Sequence, residues 1–151
     1  MLVICVIVIG IGNCIHTYAG MQLRQECAAI MREQGCEEET GRAEITKAYN
    51  LPCKYILHTV GPIISGPLTI QDEEMLASCY RSCLELAERH SIKSIAVCCI
   101  STGEFRFPND RAAEIAVRTV KSFMRRGCGI EKVVFNVFKD TDKRIYEGLL
   151  Q

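Results

Sequence analysis

Short apolar runs rich in β-branched residues alternate with longer amphipathic segments along this 151-residue chain, and the alternation leaves few folds open. Residues 2–9 read as a buried strand. Over residues 15–34 the apolar positions Ala19, Leu23, Cys27, Ile30 and Met31 recur at helical spacing, and Gly35 supplies the stop. Residues 43–49 are ambiguous, with a short strand as one reading. Residues 54–60 read as a strand closed by Gly61-Pro62, and residues 63–71, with no periodicity, as a loop. A helix over 72–90 turns Met75, Leu76, Cys79, Cys83, Leu86 and Ala87 inward and carries acids in its first turn, where the helix dipole favours them. A strand over 94–100, a helix over 110–126 ending near Gly127, a strand over 132–138 and a helix over 142–150 complete the series. This order predicts an α/β fold, a mostly parallel sheet with helices on both faces, in a single domain over residues 1–151. Ligands of such sheets bind beyond the carboxyl ends of the strands, which here means after Ile9, Val60 and Ile100.

Composition narrows the function classes. Eighteen basic and eighteen acidic side chains cancel, so no net positive charge is available to grip a nucleic-acid backbone. The apolar run at residues 2–9 is shorter than the roughly 20 residues a membrane span needs, and it lacks the basic flank of a signal peptide. Nucleic acid and membrane are therefore not expected partners. Ten cysteines include no CxxC pair. Several fall at apolar positions, where a reduced thiol packs as a small hydrophobe, and this points to the reducing cytoplasm.

The segment 99–108 carries the most specific signal. The strand-like run ending at Ile100 breaks into Ser101, Thr102 and Gly103, then Glu104, Phe105, Arg106, Phe107 and Pro108 lead into a helix. A glycine turn between a strand and a helix N-terminus presents backbone amides that suit a phosphate. Phe105 and Phe107 are expected to give a flat apolar wall for a ribose or base. An ordinary β–α connection is the alternative reading of this loop taken alone.

In order, the chain holds Ala19-Gly20, Glu39-Thr40-Gly41-Arg42-Ala43, Leu51-Pro52, Tyr55-Ile56-Leu57-His58-Thr59-Val60-Gly61-Pro62, the loop through Pro108, and Val134-Phe135-Asn136-Val137-Phe138. This series resembles the macrodomains, and among them the microbial zinc-containing branch of protein-ADP-ribose hydrolases. The resemblance runs from about Ile11 to the C-terminus. It implies a three-layer α/β/α fold with an ADP-ribose cleft at the carboxyl edge of a mixed, mostly parallel sheet. It also implies that Ser101, Thr102, Gly103, Glu104 and Phe105 surround the diphosphate and ribose, with Phe107 beside the distal ribose. Asn136 faces the cleft in this reading or satisfies its own backbone. Ile11 and Asn13 match the family's other ligand-contacting segment, at a helix N-terminus.

The resemblance fails before Ile11. Where the family carries its last zinc cysteine this chain has Gly10, and where the family carries its aspartate this chain has Gly12. The family strand and zinc-ligand stretch before them have no counterpart, which implies an N-terminally truncated or altered member lacking the first family strand or strands. Hydrolysis of an ADP-ribosyl bond needs a carboxylate or metal-held water at the anomeric carbon, and glycine supplies neither. For zinc, the ligand types left near this end are Cys5, Cys14 and His16, and Cys14 and His16 stand two apart, a poor ligand spacing. The expectations are therefore no resident metal, an ADP-ribose or mono-ADP-ribosylated protein as partner, and doubtful catalysis. A non-catalytic ADP-ribose reader and an inert fragment are the alternatives. His58 reads as a packed strand residue, Cys98 and Cys99 as core, the Glu37–Glu39 run as a solvated turn, and the cations over residues 118–126 as an exposed helix end.

Overall fold

The computed structural model describes residues 3, 4 and 11–151, with the backbone alone for residues 3, 4 and 11–13. Its elements alternate as the sequence pattern requires: β1 (Val3–Ile4), α1 (Ile11–Ala19), α2 (Met21–Gln34), β2 (Ala43–Lys47), β3 (Tyr55–Thr59), α3 (Ile70–Arg89), β4 (Ser94–Val97), α4 (Asn109–Arg125), β5 (Lys132–Phe135) and α5 (Asp140–Leu150). The strands β1, β4 and β5 pair in that order, all parallel, with Val3 opposite Ile95 and Ile95 opposite Val133. The strands β2 and β3 form an antiparallel pair, Ala43 opposite Thr59 through Lys47 opposite Tyr55, and β3 lies beside β1.

Alternation along β3 shows the layering. Successive strand residues face opposite sides of a sheet. Leu57 enters the main core with α3, α4 and Tyr146 of α5, while its neighbour Ile56 joins a smaller cluster with Ala19, Leu23 and Ala48. Apolar layers on both faces make this a three-layer α/β/α fold, with α1 and α2 on one side and α3, α4 and α5 on the other.

Several local signals decide the boundaries. Thr69 caps α3: its hydroxyl accepts from the Asp72 amide at 3.2 Å, and the Asp72 carboxylate accepts from the Thr69 amide at 2.9 Å. Gly35, at φ 70°, ends α2 in the left-handed conformation, its amide donating to Met31. Gly41 brings α3 against the β2–β3 pair, because its carbonyl accepts from both Ser78 Oγ (3.0 Å) and Ser82 Oγ (2.7 Å).

Three expectations need correction. The helix over 15–34 is two helices, α1 and α2, broken at Gly20, whose φ of 95° no helix accommodates. The strand expected over 94–100 ends at Val97, and the one over 132–138 ends at Phe135. Of the strand expected over 2–9, Val3–Ile4 is β1 and the rest lies outside the described residues.

Candidate functional site

The segment 98–108 joins the carboxyl end of β4, the middle strand of the parallel trio, to the N-terminus of α4. Three further pieces converge on this edge. The helix α1 follows β1, Asn136 follows β5, and the turn after β3 packs directly on the loop.

Backbone hydrogen bonds fold the loop onto itself. The Phe107 amide donates to Ser101 O at 2.9 Å and the Arg106 amide to Gly103 O at 3.0 Å. The Ile64 amide donates to Phe105 O at 2.9 Å, tying the loop to the segment after Gly61-Pro62. Beneath it the buried Tyr80 hydroxyl donates to Cys98 O (3.1 Å) and accepts from the Ile100 amide (3.3 Å), just beyond the end of β4. Among the described residues, the main-chain amides of Ser101, Gly103, Glu104 and Phe105 have no acceptor at hydrogen-bonding geometry. A run of unpaired amides within a few residues is an anion-binding arrangement.

Strain concentrates in the same place. Ser101 has φ 63° and Arg106 φ 61°, conformations uncommon for residues other than glycine. The Ser101 hydroxyl is buried without a partner, and such a group is costly unless something compensates it. Gly61 makes room for it: a Cβ there would meet Ser101 Oγ and come within 2.7 Å of Ile100 Cγ2.

The residues singled out in the sequence are distributed as follows. Ser101, Thr102, Gly103, Glu104 and Phe105 lie together in the loop, with Gly103 and Glu104 exposed. Gly103 has a non-positive φ and open space around its Cβ direction, so protein packing alone does not require glycine there. Phe105 and Phe107 are not an open wall. They are 8 % and 1 % exposed and belong to the main core, anchoring the loop from below. Asn136 is exposed, and its amide donates to Val97 O at 2.7 Å, extending the β4–β5 pairing. Ile11 and Asn13 stand in the first turn of α1, their side chains outside the described residues. Gly10 and Cys5 lie outside the described residues altogether.

One residue escaped the sequence reading. Phe138, two positions after Asn136, is 98 % exposed at the same edge, a flat apolar ring in water. Its place at the end of the Val134–Phe138 run was the available signal.

Other candidates are explained by packing. His58 Nε2 hydrogen-bonds Thr46 Oγ1 at 2.8 Å across β2 and β3, and burial, with a smaller contribution from His16, pushes its pKa down to about 4. Burial first, then the Asp142 carboxylate, pushes the Cys99 thiol up to about 11, so it is not a ready thiolate, and Cys98 is packed in the core at 5 % exposure. Of the zinc-ligand types the sequence offers, Cys5 lies outside the described residues. Cys14 and His16 share α1 two positions apart and so project about 200° apart around its axis. Among the described residues no three His, Cys, Asp or Glu side chains are grouped to hold a metal.

The Macro domain family model matches residues 6–116. The chain belongs to that family. A protein-ADP-ribose hydrolase of Treponema medium is 60 % identical over 140 residues, 93 % of this chain and 54 % of that protein. One of Staphylococcus aureus (strain MSSA476) is 55 % identical over 138 residues, 91 % of this chain and 52 % of that protein. The chain thus spans about half the length of the curated relatives it matches. In structure this macrodomain superposes on an Oceanobacillus iheyensis macrodomain variant with ADPR at a TM-score of 0.90, 32 % identity, covering 99 % of this chain and 89 % of that one.

Proposed function

We propose that this macrodomain binds ADP-ribose, free or attached to a modified protein, across the carboxyl edge of its sheet, and turns it over poorly. The carrying observation is the group of unpaired amides at Ser101, Gly103, Glu104 and Phe105. In this reading they donate to the diphosphate, which needs no net positive charge on the protein. The exposed backbone at Gly103 admits the phosphates, Thr102 and Glu104 border the ribose, and the buried Phe107 ring supports the loop beneath it. Asn136 and the exposed Phe138 ring flank the base, and the first turn of α1 at Ile11 and Asn13 closes the other side. The relative solved with ADPR supports this ligand.

Poor turnover follows from Gly12, which places no carboxylate at the family's aspartate position. Cleavage of the anomeric bond then lacks the group that would direct water. Hydrolysis remains the second reading, favoured by 60 % identity to a protein named for that activity. The described cysteines are all free thiols, which supports a cytoplasmic setting. Among the described residues no helix is long and apolar enough to cross a membrane.

Calorimetric titration with ADP-ribose, using AMP as control, tests the binding. Saturable heat with ADP-ribose and none with AMP is expected; a folded sample silent to both refutes the reading. Incubation with a mono-ADP-ribosylated protein then separates the two activities, since stoichiometric release of ADP-ribose would establish hydrolysis in spite of Gly12.

A further inference from the structure

On the helical face away from the loop, α3 and α4 enclose a groove of about 270 Å³ lined by Ala77, Arg81, Arg118, Ser122, Phe123 and Arg126. Spacing explains the convergence. Positions 77 and 81 are one turn apart on α3, and 118, 122 and 126 follow at successive turns of α4, so each set shares a face. Ala77 is small enough to leave the space open, and the buried Phe123 ring floors it.

Three arginines therefore border one groove. Among the described residues none of them has a carboxylate within 4.0 Å, although exposed cations elsewhere on the surface do, as Arg42 and Lys93 show. Glu73 and Glu114 are held by Arg111 at 2.6 and 2.7 Å, so Arg118 acts on Glu73 only at longer range, and Glu85, one turn along α3 from Arg81, makes no ion pair with it. Arg126 is further oriented by stacking, its guanidinium carbon 4.2 Å from the centre of the Phe123 ring. Like charges bordering one groove repel, and a bound anion relieves that repulsion.

We infer that this groove is a second anion site, for a small diphosphate-sized ligand. The side chains are arginines rather than lysines, whose planar forks pair bidentately with phosphoryl oxygens. The Ser122 hydroxyl adds a neutral donor. The groove's volume of about 270 Å³ is on the scale of a small polyanion rather than of an acidic polypeptide. It is also a separate place from the loop. The 17 residues of α4 put Arg126 about 25 Å from the segment that ends at Pro108.

The test is a titration with inorganic pyrophosphate in the presence of saturating ADP-ribose, so that the loop is occupied. One saturable equivalent is expected to remain, and Arg118→Gln or Arg126→Gln to weaken it by roughly tenfold each. Arg118→Lys, which keeps the charge and loses the fork, should fall between wild type and Arg118→Gln. Thermal melts and ADP-ribose affinity of the variants should match wild type, since none of the three arginines belongs to the loop or the core. Loss of all pyrophosphate binding once ADP-ribose is present would overturn the inference, as would pyrophosphate affinity indifferent to both substitutions. Equal binding of a hexaglutamate peptide would also overturn it, because the face would then be a general acidic-partner surface. Should ADP-ribose itself fail to bind, the wild-type and arginine-variant titrations still decide the groove on their own.

Discussion

Ser101 concentrates the demands that the loop makes on single residues. It takes a left-handed φ, buries a hydroxyl without a partner, and needs Gly61 against it. Gly61→Ala should push the loop outward, at a cost of about 1–3 kcal/mol in stability; urea unfolding would measure that, and ADP-ribose affinity should fall with it. Gly103→Glu makes the complementary case. Its backbone is compatible with any residue and its Cβ direction is open, so the melting temperature should stay near wild type. The new carboxylate would stand among the unpaired amides and repel a diphosphate, so ADP-ribose heat should vanish from the titration. His58 responds to pH instead. Its pKa is about 4 in the fold, below the roughly 6.5 of an unfolded histidine, so between those values the unfolded chain binds more protons. The stability is fully present above about pH 6.5 and declines as pH falls towards 4, by at most about 1.4 kcal/mol per pH unit. His16, also lowered first by burial, adds the same sign. Urea midpoints of wild type and His58→Gln, compared between pH 7 and 5, should converge as pH drops.

At the scale of elements, the junction between β4 and the loop is held by α3 through one hydroxyl. Tyr80→Phe removes one donor from Cys98 O and leaves the buried Ile100 amide without its acceptor, a loss of about 1–3 kcal/mol. The affected backbone leads straight into Ser101, so ADP-ribose should bind more weakly as well; calorimetry on the folded variant reads both. The sequence made most elements legible because their apolar spacing is regular, and it failed where tertiary contacts overrule spacing. Ala19 and Leu23 are four apart and join the same cluster, so the helical period runs unbroken across Gly20 while the backbone turns. The strand β4 ends at Val97, and beyond it the Tyr80 hydroxyl, far off in sequence, holds Cys98 O and the Ile100 amide. In the site, the loop's position was readable from a strand, a glycine and a helix in order. The residues that carry its strain were not, because the sequence offers Gly103 as the natural pivot and the backbone pivots at Ser101 and Arg106. The aromatic residues misled in both directions: Phe105 and Phe107, flanked by polar residues, are core, and Phe138 is open to water.

Across the whole molecule, the two faces of the sheet are unequally supported. The side holding α3, α4 and α5 is one extensive apolar cluster, further tied by the Arg111–Glu73 pair and by Asn109 donating to Asp142 at 2.5 Å. The side holding α1 and α2 rests on Ala19, Leu23, Ala48 and Ile56 with a few partly buried neighbours. Regions with few buried apolar contacts open before the global transition, so amides of α1 and α2 should exchange with solvent faster than those of α3 and α4. Leu23→Ala should widen that gap, because removing a fully buried leucine costs about 2–5 kcal/mol and the loss falls on the weaker layer. The less stable layer also carries the first turn of α1, which borders the proposed ADP-ribose site. Ligand at one hundred times its dissociation constant stabilises the bound form by about 2.7 kcal/mol. If α1 closes that site, this stabilisation reaches its amides, and hydrogen exchange of α1 should slow by up to about a hundredfold on adding ADP-ribose. AMP should leave it unchanged. Protection confined to the residues around Ser101 would instead mean that the ligand rests on the loop alone and that α1 takes no part in holding it.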